Sequence, residues 1–304
     1  MLFIFALTGC NSGDTTAEQK KTDGKLLVYT TVYPLQYFTE EIGKEFVTVE
    51  TIYPPGSDEH TFEPSQKDMI QLAESDLFIY VGLGLEGFVD KAKQTLESEK
   101  VALLPAGEHL HIEEEAHENE DEEHDHDHQH GDLDPHVWID PLYAKDLAEA
   151  IKNELINQLP EQKEQLENNY QELAKKLEEL DSHFDKLGKN AKQKEIIVSH
   201  AAYGYWERYG IEQISISGMS SSNEPTQKEL KQIIATAKEH NLKYIFFEQN
   251  VSSKLAEIVQ DEMNADTLLL HNLSVLTDED IKKERTYFSI MNDNLEALKT
   301  ALME

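Results

Sequence analysis

Residues 161 to 187 read EQKEQLENNYQELAKKLEELDSHFDKL, with apolar side chains at Leu166, Tyr170, Leu173, Leu177, Leu180, Phe184 and Leu187. The steps of 4, 3, 4, 3, 4, 3 put all of them on one stripe of an α-helix. About 27 residues at about 1.5 Å each make a rod roughly 40 Å long. Such a stripe must be covered, either by a second copy in a coiled coil or by domains flanking a single rod. Only four heptads are present, and apolar runs lie on both sides of them. The expectation is therefore an intramolecular spine in a monomer.

The flanking runs fix the fold class. From Lys25 onward, KLLVYTTVY, VTVETIY, DLFIYVG and VALLPAG read as strands, with helical stretches between them. After about Ala191 the pattern returns in EIIVSH, IEQISIS, LKYIFFEQ and ADTLLLH. Strands separated by helical segments imply right-handed βαβ crossovers and parallel sheets. The expected fold is α/β, with two lobes, each a parallel sheet flanked by helices, joined by one long rigid helix. A chain of 304 residues can build both cores. The expected divisions are a leader remnant and tether at 1–24, a first lobe at 25–160, the joining helix at 161–190 and a second lobe at 191–304. Residues 108–132 belong to neither lobe: they hold seven of the thirteen histidines and no Lys or Arg. With little apolar surface to offset the entropy of ordering, they are expected to form a disordered acidic, His-rich insertion.

Charge narrows the partners. Sixty acidic residues against 27 basic ones give a net charge of -33, which excludes a nucleic-acid partner because phosphate binding needs a basic surface. The same charge attracts cations. Cys10 is the only cysteine, so neither an intramolecular disulfide nor a Cys-based zinc site is available. It ends LFIFALTGC, which resembles a bacterial lipobox, and the polar NSGDTTAEQKKTDGK that follows suits a flexible tether. Lipidation at Cys10 is the expected membrane attachment, since no other stretch is long and apolar enough to cross a bilayer.

Three histidines sit in stiff loops. His60 lies in YPPGSDEHTFEPSQKDM, after a Pro-Pro-Gly turn and before the helix opened by Pro64-Ser65. His136 lies in DLDPHVWIDP, bracketed by Pro135 and Pro141 with Trp138 as an anchor, and His200 ends the strand EIIVSH. In open parallel sheets, ligands bind beyond the carboxyl ends of the strands. A cleft between the lobes would gather all three. Three imidazoles with a carboxylate or water suit tetrahedral Zn2+, whereas Mn2+ favours more carboxylates. His124, His126, His128 and His130 instead alternate with Asp and Gln. They read as a weaker loop that collects cations around neutral pH.

The motifs GSDEHTFEP, DPHVWIDP, VSHAAYGYW, NEPTQKEL and YIFFEQN resemble those of the metal-binding solute-binding proteins of ABC transporters, closest to the zinc-binding lipoproteins of high-affinity zinc uptake. The resemblance covers the chain from Lys25 onward, and DPHVWIDP is its most specific part. It implies a metal between two α/β lobes, Zn2+ as the cargo and a membrane permease as the partner. It also implies a lipid-anchored position on the extracellular face of the cytoplasmic membrane, as in a Gram-positive bacterium. Manganese and iron members usually carry Glu where this chain has His200, and they tend to lack the His-rich insertion. The resemblance leaves the fourth ligand open. Family members often place an acid shortly before a Tyr-aromatic pair near the C-terminus. Here KKERTYFSIM aligns Arg285 at that position, with Glu284 one residue earlier. Glu59 stands where a proline usually precedes the first histidine, so Glu284, Glu59 and a water remain the candidates. Glu248 and His271 end strands of the second half and are expected to support the cleft. Two rival functions stay in view: a zinc hydrolase, for which no H-E-x-x-H motif is present, and a manganese-type binding protein or surface adhesin.

Overall fold

The computed structural model describes residues 24–112, 133–220, 223, 225–249 and 253–303. Cys10, the tether and His124, His126, His128 and His130 lie outside the described residues. In chain order the first half runs β1 (Leu26–Thr30), α1 (Tyr33–Gly43), β2 (Val47–Thr51), α2 (Gln66–Ala73), β3 (Leu77–Tyr80), α3 (Val89–Leu96) and β4 (Ala102–Pro105). Two helices follow, α4 (Pro141–Gln158) and α5 (Lys163–Asn190). The second half runs β5 (Glu195–Val198), β6 (Glu212–Ser215), α6 (Gln227–Glu239), β7 (Tyr244–Glu248), α7 (Lys254–Met263), β8 (Asp266–Leu270), α8 (Asp278–Lys282) and α9 (Tyr287–Leu302).

Each apolar run picked out in the sequence is a strand, and every strand pairing is parallel. The first sheet has the order β2-β1-β3-β4 and the second β6-β5-β7-β8. The layout is thus the same in both halves. Strand β3 (LFIY) is buried at every residue, as a strand covered on both faces must be. Helices α2 and α6 start on capping boxes, Ser65 with Asp68 and Thr226 with Glu229. At the start of α4, Asp140 accepts the Leu142 and Tyr143 amides at 2.7 and 3.1 Å. Pro141 takes the first helical position, where no donor is needed.

Helix α5 has 28 residues and is about 42 Å long. Its stripe, Leu166 to Leu187, is buried against α1, α4, α9 and the 3-10 turn Gly204–Tyr209. Phe184 packs between Trp206 and Tyr209 with ring centroids 5.3 and 5.4 Å away. A Cβ on Gly188 would overlap the Tyr209 carbonyl oxygen, so glycine permits this close approach. The chain covers its own stripe, and the coiled-coil alternative has no apolar seam left. Among the described residues, no helix is long and apolar enough to cross a membrane.

Residues 108–112, the first of the expected insertion, lie among the described residues. Glu108 and His109 belong to the 3-10 turn Ala106–His109, and Leu110 and Ile112 pack against the core. Those two apolar side chains hold residues 108–112 to the first half. The cores are unequal. A large one runs from the first sheet through α4, α5 and α9 to Ile196, Val198, Phe246 and Leu270 of the second sheet. A small one, under α6 and α7, is built on Ile197, Ile216, Ala237, Ile245, Ala256, Val259 and Ala265. Alternation along β5 sends Ile196 and Val198 into one core and Ile197 into the other.

Candidate metal centre

Three loops meet between the sheets. After β2, the Pro54–Ser57 turn closes with the Ser57 amide donating to the Pro54 carbonyl at 3.2 Å. Asp58 Oδ1 then accepts the His60 and Thr61 amides at 2.9 and 3.2 Å. The second loop repeats this device: Asp134 Oδ1 accepts the His136 amide at 2.9 Å and His136 Nδ1 at 2.7 Å. Trp138, fully buried, donates Nε1 to the Asn272 carbonyl at 2.6 Å. The Tyr287 hydroxyl donates to the Trp138 carbonyl at 2.8 Å. Third, His200 follows β5, and its Nδ1 makes a short bond to Glu248, the last residue of the neighbouring strand β7. The order of the second sheet reverses between β5 and β7, so His200 and Glu248 straddle its topological switch point.

Glu59, His60, His136 and His200 each turn one ligand atom into a group spanning 4.8 Å or less. His60 Nε2 lies 3.2 Å from His136 Nε2 and 3.9 Å from Glu59 Oε1. A tetrahedral ion with Zn–N bonds of about 2.0–2.1 Å holds its ligands about 3.3 Å apart, close to the first separation. The imidazole centroids are 5.2, 5.4 and 6.1 Å apart. His136 and His200 are buried, at 0% and 1% exposure, and His60 is the most open of the four.

The electrostatics suit a cation. Burial, reinforced by the neighbouring His136 and His200, pushes the pKa of His60 down to about 4, so it stays neutral. Burial also opposes a charge on His200, but the Glu248 carboxylate overrides it and leaves the His200 pKa above its ordinary value. Burial raises the pKa of Glu59, against the pull of its backbone hydrogen bond and of the imidazoles.

The remaining candidates fall elsewhere. Glu284 is exposed on the turn after α8, at φ 50°, and is not in the cluster. Arg285 is drawn to Asp280, at 3.5 Å, and to Asp293. His271 Nδ1 accepts the Leu273 amide at 2.9 Å and its Nε2 faces Asp280 at 3.4 Å, apart from the cluster. Glu248 supports His200 and also accepts the Ser199 hydroxyl at 2.7 Å. The sequence reading missed Asp58, Asp134 and Asn272. For the two aspartates a signal existed, since both histidines stand in Asp-x-His, the spacing of an Asx turn.

Two like α/β halves on one helix, with imidazoles and a carboxylate gathered between them, have the architecture of a metal-binding solute-binding protein. The chain belongs to the ZnuA family, described as zinc-uptake complex component A, periplasmic, whose model matches residues 28–301. It is 35% identical to the high-affinity zinc uptake system protein ZnuA of Bacillus subtilis, over 99% of this chain and 97% of that protein. It is also 35% identical to the zinc-binding lipoprotein AdcA of Streptococcus pneumoniae, over 93% of this chain. There the match spans 57% of the relative's length. The Zn(II)-bound ZnuA-like domain of that AdcA superposes with a TM-score of 0.77 at 33% identity, covering 92% of this chain and all of the domain.

Proposed function

We propose that this protein captures Zn2+ outside the cell and delivers it to the permease of an ABC transporter, with Glu59, His60, His136 and His200 as ligands. The observation that carries this reading is the state of the imidazoles. A carboxylate can only accept, so Asp134 and Glu248 require a proton on Nδ1 of His136 and His200. In the neutral imidazoles each Nε2 is then left with its lone pair, and the buried Nε2 of His200 has no hydrogen-bond partner among the described residues. A buried nitrogen without a partner is costly, and an ion between the loops satisfies it. Carboxylate–histidine pairs of this kind orient and strengthen zinc ligands.

Glu59 at the fourth corner closes the coordination sphere, which supports carriage of the ion over hydrolysis at an open position. Three ligands come from the first half of the chain and one, His200, from the second, so release requires His200 to part from the others. On this reading the protein is a monomer held to the outer face of the cytoplasmic membrane by lipid on Cys10. The histidines His124, His126, His128 and His130 gather the ion nearby. Competition against a chelator of known affinity should find one tight zinc per chain, lost in His136→Ala and His200→Ala. Cells lacking the gene should take up less zinc under limitation. Wild-type affinity in both variants, or unchanged uptake, refutes the proposal.

A further inference from the structure

Asn272 lies beside the centre without belonging to it. It follows β8 by two residues and is 6% exposed. Its Nδ2 donates to Glu59 Oε1 at 3.1 Å and to Glu248 Oε2 at 2.9 Å. Its Oδ1 accepts the Ser274 amide at 3.0 Å and the Ser274 hydroxyl at 2.8 Å. Both donor hydrogens and both acceptor lone pairs are thereby used. The orientation of the amide is fixed by chemistry, because a flipped group would turn its oxygen toward two carboxylates and its NH2 toward an N–H. The backbone carbonyl of the same residue accepts the Trp138 indole at 2.6 Å. One residue therefore touches Glu59, the carboxylate behind His200 and the anchor of the His136 loop.

Resting on the ligand set proposed above, we infer that Asn272 is a positioning residue that limits Glu59 to one-oxygen coordination and so sets the metal preference of the site. A carboxylate can bind an ion through one oxygen or two. Oε1 is the Glu59 oxygen that faces His60 Nε2, 3.9 Å away. With one lone pair bonded to the Asn272 amide it keeps the other for the metal, and the bond holds the carboxylate so that this oxygen, not both, is presented. Three nitrogens and one oxygen make the tetrahedral set that suits Zn2+. Mn2+ favours a higher count of oxygen ligands, which a two-oxygen Glu59 would help supply. Glu248 receives the other hydrogen of the same amide, so the carboxylate supporting His200 is kept in register with the carboxylate ligand. Aspartate at this position would set a third carboxylate against the other two. The amide is the group that fits.

The test compares wild type with Asn272→Ala and Asn272→Leu, the latter keeping most of the volume. Zn2+ and Mn2+ affinities are measured by chelator competition, and the Co2+-loaded proteins are examined by visible absorption. The wild type should give the intense bands of four-coordinate cobalt, and the variants the weaker bands of a higher-coordinate ion. Zinc affinity should fall about 10- to 100-fold, as for other groups that orient ligands, with manganese affinity unchanged or raised. A merely structural residue would lower both affinities and leave the spectrum of the bound fraction alone; that outcome overturns the inference. X-ray absorption at the zinc edge of the wild type gives a readout independent of how the variants fold, and a two-oxygen carboxylate there also overturns it. If the wild type binds no zinc, the ligand proposal itself fails. If it binds tightly and the variants match it in spectrum and selectivity, only the role of Asn272 is wrong.

Discussion

Replacing Asp134 with asparagine removes a charge and keeps the shape. Asp134 Oδ1 accepts both the backbone amide of His136, at 2.9 Å, and its Nδ1, at 2.7 Å. An asparagine carbonyl can accept the same two bonds, so the loop holds its form while the negative charge behind the imidazole is lost. Loss of such an outer partner weakens metal binding about 10- to 100-fold, equivalent to about 1.4–2.7 kcal/mol. Asp134→Ala also frees the backbone amide and should reach the upper end of that range. His136→Ala deletes an inner-sphere bond and should be the weakest of the three. Competition with a fluorescent zinc chelator near neutral pH ranks the affinities. The metal-free Asn variant should melt within a few degrees of wild type, since both hydrogen bonds to His136 are kept and only the charge is lost. If Asp134→Asn and Asp134→Ala both bind zinc like wild type, the anchor on Nδ1 is not what readies His136. If the Asn variant falls as far as His136→Ala, the loop has moved and the reasoning fails equally.

Acid should weaken zinc binding from above pH 6.5, because zinc must displace the proton from His200, whose pKa lies above the ordinary value. His60 is neutral down to about pH 4 and releases no proton near pH 6, so calorimetry in buffers of different ionisation heat should count fewer protons per zinc there than the four ligands could supply, and His60→Ala should leave that count unchanged. Leu177→Ala, at a fully buried position of the α5 stripe, should cost about 2–5 kcal/mol in denaturant unfolding and leave sedimentation monomeric. A small loss with dissociation of a dimer would restore the coiled-coil reading. Deleting residues 113–130 should spare the tight site and remove additional, looser zinc equivalents, whereas starting the deletion at 109 should also cost stability through Leu110 and Ile112. Calorimetry and melting of the two deletions separate these effects.

The central strands were legible because they are covered on both faces, which leaves runs such as LFIY with no polar alternation; the edge strands, such as VTVET, are partly exposed and alternate instead. The α5 stripe was legible from its 4, 3 spacing, and the small number of heptads with apolar runs on both sides carried the choice of a single spine. His60, His136 and His200 could be found because proline and strand ends frame them. The sequence left Glu284, Glu59 and a water open as the fourth ligand, because which acid lies beside the histidines turns on a tertiary contest. Arg285 is taken by Asp280 and Asp293, and Glu284 turns to solvent. Asn272 was invisible for a similar reason. In HNLSVL nothing marks it apart from its neighbours, and its role exists only once Glu59, some two hundred residues earlier, has folded against it.

The boundary between the two cores does not coincide with the boundary between the two sheets. The first sheet, α5, α9 and the inner face of the second sheet share one apolar mass, so they should gain and lose protection from amide hydrogen exchange as a single cooperative block. Helices α6 and α7 rest on a handful of small and medium side chains and should open at lower free energy. His200 and Glu248 stand at the ends of β5 and β7, the strands sandwiched between the block and that thinner layer. A zinc ion joining His200 to groups rooted in the block ties the loose layer to the firm one. Metal loading should therefore slow exchange most in α6 and α7, which contribute no ligand. For a receptor that distinguishes loaded from empty carriers, this thin layer is where the difference is written.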